Sequence, residues 1–310
     1  MSLIAVGTMA FDAIETPFGE VDKILGGAAT YISLAASFYV QPVKAISIVG
    51  YDFEQEIIDD LQSRGVDMAG VQIKKDEKSF FWAGRYHNDM NTRDTLITDL
   101  NVLANFDPIV PESYRDCRYL MLGNLAPQTQ QQVIDRLPDR PKLIVMDTMN
   151  FWMDSAMESL LETIANVDIL MINDEEARQL TGEYSLKKAA HKVLGIGPSF
   201  LVIKKGEHGA LLFHEDQIFS APGLPLKEVF DPTGAGDTFA GGFMGYLAST
   251  DDISFENMKR AIIHGSAMAS FCVEKFGPKR LMEINQQDLK DRIQEFVNLA
   301  NFDFDLVEPS

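Results

Sequence analysis

The stretch Val229-Phe230-Asp231-Pro232-Thr233-Gly234-Ala235-Gly236-Asp237-Thr238-Phe239-Ala240-Gly241-Gly242-Phe243 changes character halfway along. Pro232 disfavours helix at Asp231, the glycines permit backbone shapes closed to other residues, and helical spacing begins at Ala235. This predicts a glycine-bearing loop that opens a helix, where unpaired N–H groups and the positive dipole end can receive phosphate oxygens. Asp237, in the first turn, would compete with that phosphate unless it has another task. Accepting the proton of a hydroxyl is such a task, because phosphoryl transfer relies on positioning and electrostatics, with a carboxylate as base. Gly-x-Gly-Asp alone reads equally well as a helix start whose acidic residue favours the dipole.

Around this stretch, short apolar runs alternate with segments of helical period, which predicts an α/β fold with a mostly parallel sheet. Buried strands are expected at Leu3–Val6, Val43–Val49, Tyr119–Leu122, Leu143–Met146, Ile169–Ile172 and Leu201–Ile203. Helices are expected at 30–38, 54–63, 127–136, 155–165, 174–180 and 186–193, then at 235–247, 255–271 and 287–299. Two segments, 11–23 and 71–97, break the rhythm and read as a small β-sheet projecting from the main body, with antiparallel strands around a polar turn at His87-Asn88-Asp89. Its aromatic residues need a cover, so it is expected to act as a lid or to pair two subunits as a homodimer. A single domain over 1–300 with an acidic tail at 301–310 follows.

The formal net charge of −19 disfavours nucleic-acid and anionic membrane partners. Cys117 and Cys272 lie in apolar surroundings and are expected to be buried free thiols. Neither a basic leader nor a long uncharged apolar run is found, so a soluble cytoplasmic protein is expected. The histidines show no metal-binding spacing.

The segment 231–239 resembles the C-terminal signature Asp-Thr-x-Gly-Ala-Gly-Asp-x-Phe of the ribokinase (PfkB) family of carbohydrate and nucleoside kinases, and the resemblance spans about 3–299. It implies a three-layer α/β/α fold with a β lid, ATP and Mg2+ as cofactors, and a monovalent cation, potassium, near Asp231. Asp237 would be the base, and the backbone of Gly234, Ala235, Gly236 and Asp237 the anion hole. Asp12, Gly26, Gly27 and Tyr31 correspond to substrate-binding positions. Asn173, Lys204, Gly206, Gly209, Thr233, Gly234, Gly236 and Ser266 correspond to the nucleotide site, and Glu176 to the residue that helps hold magnesium, through water. Residue by residue, simpler roles stay open: Asn173 and Glu176 also fit an N-cap with its capping-box partner, and Lys204 a solvated surface lysine.

The chain departs from ribokinases where Ala28 and Tyr31 stand in place of a sugar-contacting lysine and asparagine, which argues against ribose itself. The altered run Asp147-Thr148-Met149-Asn150-Phe151-Trp152 lacks an arginine suited to acidic sugars. The expected reaction is phosphorylation of a primary hydroxyl of a sugar or sugar-like molecule, with a nucleoside as the alternative acceptor. Phe81 and Trp82 are available to stack on a sugar face or a base. A dinucleotide oxidoreductase is disfavoured because Phe239 stands where its third glycine is needed. A binding-only regulator has no need of the base at Asp237.

Overall fold

The computed structural model describes residues 2–301; the acidic tail from 302 lies outside the described residues. In chain order its strands are β1 Leu3–Val6, β2 Ala10–Thr16, β3 Gly19–Gly26, β4 Val43–Val49, β5 Val66–Ile73, β6 Phe80–Tyr86, β7 Arg93–Asp99, β8 Tyr119–Leu122, β9 Leu143–Asp147, β10 Ile169–Asn173, β11 Phe200–Lys204, β12 Ala210–His214 and β13 Gln217–Ala221. Nine of them form one sheet in the order β13-β12-β11-β10-β9-β8-β1-β4-β5. It is parallel from β11 to β5, and the hairpin β12–β13 adds an antiparallel edge.

Side-chain alternation divides each central strand between two helical layers. Ile4, Val6, Leu120, Leu122 and Ile144 pack with Val133, Leu160, Ile164 and Val193 from the helices Pro127–Arg136, Met157–Ile164 and Leu186–Leu194. Leu3, Ala5, Tyr119, Met121 and Val145 face the opposite way, onto Ile32, Phe239, Phe243, Met258 and Ile262. Those belong to the helices Ala28–Ala36, Ala235–Thr250 and Phe255–Cys272. Burial on both faces explains why these strands read as continuous apolar runs.

The predicted helices at 127–136, 174–180 and 155–165 are found at Pro127–Arg136, Asp174–Thr181 and Met157–Ile164, the last preceded by a separate short helix, Asn150–Ser155, that was not expected. Asn173 starts its helix through a capping box with Glu176, and Gly182, at φ 69, ends it. The hairpin β12–β13 went unpredicted because its outer strand is largely exposed and carries little apolar signal.

The remaining four strands form a separate small sheet, β3-β2-β6-β7. Two expectations are corrected here. Val71–Ile73 belong to β5 on the main sheet, so the small sheet draws on 10–26 and 80–99 rather than on 11–23 and 71–97. It is also mixed: β6 and β7 form the expected antiparallel hairpin, but β2 and β6 run parallel.

The chain runs outward from β1 through β4 to β5, then returns to β8 on the other side of β1. This reversal creates the crevice at the carboxyl ends of the strands where ligands of open α/β sheets bind.

Candidate active site

Strands β9, β10 and β11 lie side by side and end at Asp147, Asn173 and Lys204, with Asn173 paired to Lys204 in register. The Lys204 ammonium reaches Asp147 Oδ2 at 2.6 Å, spanning the strand between them. Asp147 Oδ1 accepts the Thr148 N–H at 2.7 Å, and the Asp147 carbonyl accepts from Gln130. Beside this pair, Glu176 Oε2 accepts the Asn173 N–H at 2.7 Å while Glu176 N–H donates to Asn173 Oδ1. Glu176 is buried, and burial pushes its carboxyl up to about 7, with the Lys204 charge opposing the rise.

The loop from Asp231 faces this rim. Asp231 is fully buried and fixes the loop by accepting N–H groups from Thr233 and Gly277, each at 2.8 Å. Gly234 is the N-cap of the helix Ala235–Thr250 at φ 76, a conformation that favours glycine, and the Tyr31 ring occupies the space where a Cβ would lie. Tyr31 is therefore buried beneath the loop, 1% exposed, and its hydroxyl has no hydrogen-bond partner among the described residues. Asp237 follows in the first helical turn. Burial and Asp147 raise its carboxyl above the usual range, whereas Lys204 and Arg93 favour its charged form.

The third wall is the small sheet. Asp12, on β2, is 5% exposed and pushed up to about 8, first by burial and then by the charges of Asp231 and Asp237. A side chain on Gly26 would collide with the Asp12 carboxylate, and Gly27, at φ 92, turns the chain into the helix Ala28–Ala36. Trp82 pairs with Asp12 in register and so shares its face of the small sheet, half-buried. At the end of β6 the Tyr86 hydroxyl lies 3.2 Å from Thr233 Oγ1. In the turn beyond it, Asn91 approaches Gly206, so that a Cβ there would lie 2.8 Å from Asn91 Oδ1.

The structure thus brings Asp12, Gly26, Gly27, Asn173, Glu176, Lys204, Thr233, Gly234, Ala235, Gly236 and Asp237 to one crevice. Gly206 and Gly209 bound the turn that follows Lys204. Ser266, half-buried on the helix Phe255–Cys272, is not tied to this cluster by any hydrogen bond found among the described residues. Sequence reasoning did not select Asp147, Tyr86 or Arg93. Asp147 had a usable signal, since it ends an apolar strand, whereas Tyr86 and Arg93 depend on where the small sheet docks.

Among the described residues no group of three His, Cys, Asp or Glu side chains forms a metal cage. A nucleotide–magnesium complex fits this donor set nonetheless, because magnesium is usually held by one or two carboxylates together with phosphates and water. Both cysteines are buried and free, and no described helix is long and apolar enough to cross a membrane.

The profile of the pfkB family carbohydrate kinases matches residues 2–285. A cytidine kinase of Thermococcus kodakarensis is 30% identical over 250 residues, covering 79% of this chain and 87% of that protein. A nucleoside kinase of Methanothermobacter thermautotrophicus is 27% identical over 326 residues, covering 95% of each. The aminoimidazole riboside kinase of Salmonella enterica, solved with aminoimidazole riboside and an ATP analogue, superposes with a TM-score of 0.73 at 18% identity over 94% of this chain and 100% of that one.

Proposed function

This chain belongs to the pfkB carbohydrate kinase family, and from that premise we propose that it transfers the γ-phosphoryl group of ATP to the primary hydroxyl of a nucleoside. The observation that carries the reading is the placement of Asp12 and Asp237. Asp12 is buried and Asp237 half-buried, the two stand near enough for their charges to act on one another, and Trp82 is in register beside Asp12. Asp12 would bind hydroxyls of the acceptor, Trp82 offers its ring to a base, and Asp237 takes the proton of the accepting hydroxyl. As that proton leaves, the acceptor oxygen bonds to phosphorus and the bond to the departing ADP breaks. Backbone N–H groups from Gly234 to Asp237 carry the charge that develops, and Glu176 would hold magnesium through water.

The names of the two relatives favour a nucleoside over the free sugar expected first from sequence. The test is a magnesium-ATP screen of cytidine, uridine, adenosine and inosine against ribose, fructose and inositol, read by ADP release. A nucleoside should exceed free ribose in kcat/KM by about 10²-fold or more, because the base adds binding that ribose lacks. Preference for a free sugar or cyclitol would overturn the nucleoside assignment alone. No turnover of any acceptor would favour a binding-only protein.

Two finer parts of the proposal have their own tests. Potassium near Asp231 would meet a carboxylate that already holds two N–H donors, and activity in potassium against N-methylglucamine chloride measures whether the ion is needed. Exposed Leu96, Ile97 and Leu100 on and beside β7 favour pairing of two subunits through the small sheet; a monomer by light scattering would exclude it.

A further inference from the structure

Lys204 is placed differently from a solvated surface lysine. Its side chain is 17% exposed, its ammonium lies 2.6 Å from Asp147 Oδ2, and the Asp147 side chain is itself only 9% exposed. A Cβ on Gly236 would come 3.1 Å from the Lys204 Nζ, so the ammonium abuts the bare backbone of the anion hole. Glu176 and Asp237 are near enough for their charges to act on it, and together with Asp147 they keep it protonated against the effect of burial. Three carboxylates therefore surround the ammonium: Asp147 at the strand rim, Glu176 in the helix that follows β10, and Asp237 in the first turn of the facing helix.

A buried ion pair contributes little to stability by itself, because desolvation offsets attraction, so stability alone gives little reason for this one. Its position gives a better one. A polyphosphate entering this crevice brings negative charge into a space already holding Asp147, Glu176 and Asp237. A cation next to the loop N–H groups offsets that repulsion where charge accumulates during transfer.

We infer that Lys204 is a catalytic residue of the transfer, its ammonium contacting the terminal phosphoryl group beside the Gly234–Asp237 backbone, and that Asp147 is the positioning residue that holds it there. This rests on the kinase reading above. Lys204 keeps its proton throughout: the acceptor proton goes to Asp237, the acceptor oxygen bonds to phosphorus, and the electron pair of the broken bond leaves with ADP.

The test uses the full chain with Lys204→Met, Lys204→Arg, Asp147→Asn and the double variant Lys204→Met/Asp147→Asn. Calorimetry with magnesium and either ADP or β,γ-imido-ATP reads the contact without turnover. Lys204→Met should weaken the imido analogue about tenfold or more while changing ADP affinity less than about threefold, as expected of a charge that meets only the terminal group. Retained ADP binding also reports a folded protein. With an acceptor found in the screen, Lys204→Met should lower kcat about 10²-fold with the acceptor KM little changed, and Lys204→Arg should recover part of it. Asp147→Asn should cost about tenfold, and the double variant should be no worse than Lys204→Met by more than about threefold, since residues acting as one unit are not additive. Equal losses for ADP and the analogue, a Lys204→Met kcat near that of the parent, or additive losses would overturn the inference. Failure of the parent to phosphorylate any acceptor would instead sink the kinase reading and leave the calorimetric comparison standing.

Discussion

The helix Ala235–Thr250 has an aspartate at each end, and the two live in opposite environments. Asp237 lies in the first turn, where the helix dipole favours a negative charge, yet burial and neighbouring Asp147 raise its carboxyl above the usual range. Asp251 caps the far end at φ 53, where the dipole disfavours a negative charge, yet its carboxyl is held below the usual range. Donors explain the inversion. Lys142 meets Asp251 Oδ1 at 2.8 Å, the Tyr119 hydroxyl donates to it at 2.7 Å, and Arg118 reaches both oxygens at 3.1 and 3.2 Å. A carboxylate saturated with donors ties elements together. One buried among other carboxylates stays able to take a proton.

The largest effect should come from removing the reactive end. Asp237→Asn should lower kcat by about 10²-fold to 10⁴-fold while ATP binding persists, measured by steady-state kinetics and calorimetry. Near-normal turnover would dissolve the contrast between the two ends.

The electrostatics should also appear in the pH profile. In the proposed role Asp237 must be ionised, and its acid strength is weakened, so the acid limb of kcat should lie above the usual carboxylate range. Lys204 favours the charged form, so Lys204→Met should move that limb up in pH. Asp147 opposes the charged form, so Asp147→Asn should move it down. Limbs that do not move would separate Asp237 from the neighbours that surround it.

Asp12 tests the cost of burying a carboxylate for function. Unfolded, it ionises near its ordinary value of 3.8; folded, only at about 8. Between those values the folded state binds the extra proton, so stability falls as pH rises, and the full cost is present above the folded value. Asp12→Asn should therefore raise the melting temperature at pH 8.5 by about 2–4 °C relative to the parent, with a smaller gain at pH 6, while raising the acceptor KM about tenfold. Scanning calorimetry at the two pH values reads it, and a loss of stability at pH 8.5 would contradict it.

The smallest effect belongs to the far end of the helix. Asp251→Asn should lower the melting temperature by about 1–3 °C at pH 7 and leave kcat unchanged, since exposed pairs contribute little and this one lies away from the crevice. Because its carboxyl is held low, that contribution should fade as pH falls through the carboxylate range. Loss of activity in this variant would mean that the two ends are not independent.

The residues that announced themselves in sequence did so through local backbone chemistry. Gly234 supplies a positive φ, Pro232 disfavours helix at Asp231, and Asn173 with Glu176 caps a helix three residues apart, so each is legible from its immediate neighbours. The apolar runs of β1, β4, β8, β9, β10 and β11 were equally legible, because strands covered on both faces need no polar alternation. Tyr31 shows the limit. Its place after Gly26-Gly27 suggested a substrate contact, whereas its burial under Gly234 depends on how the helices Ala28–Ala36 and Ala235–Thr250 pack.

The sequence by itself determined the α/β class and a glycine-bearing loop that opens a helix with Asp237 in its first turn, because these follow from φ preferences and periodicity acting over a few residues. Only the tertiary structure decided that Lys204 pairs with Asp147 across β10, that Tyr86 meets Thr233, and that Asp12 shares a crevice with Asp237. Those relations join residues 57, 147 and about 225 positions apart, and they arise from strand order, crossover and the docking of the small sheet. Charge acts through space rather than along the chain, so the acidity of this site could be read only after folding had set the distances.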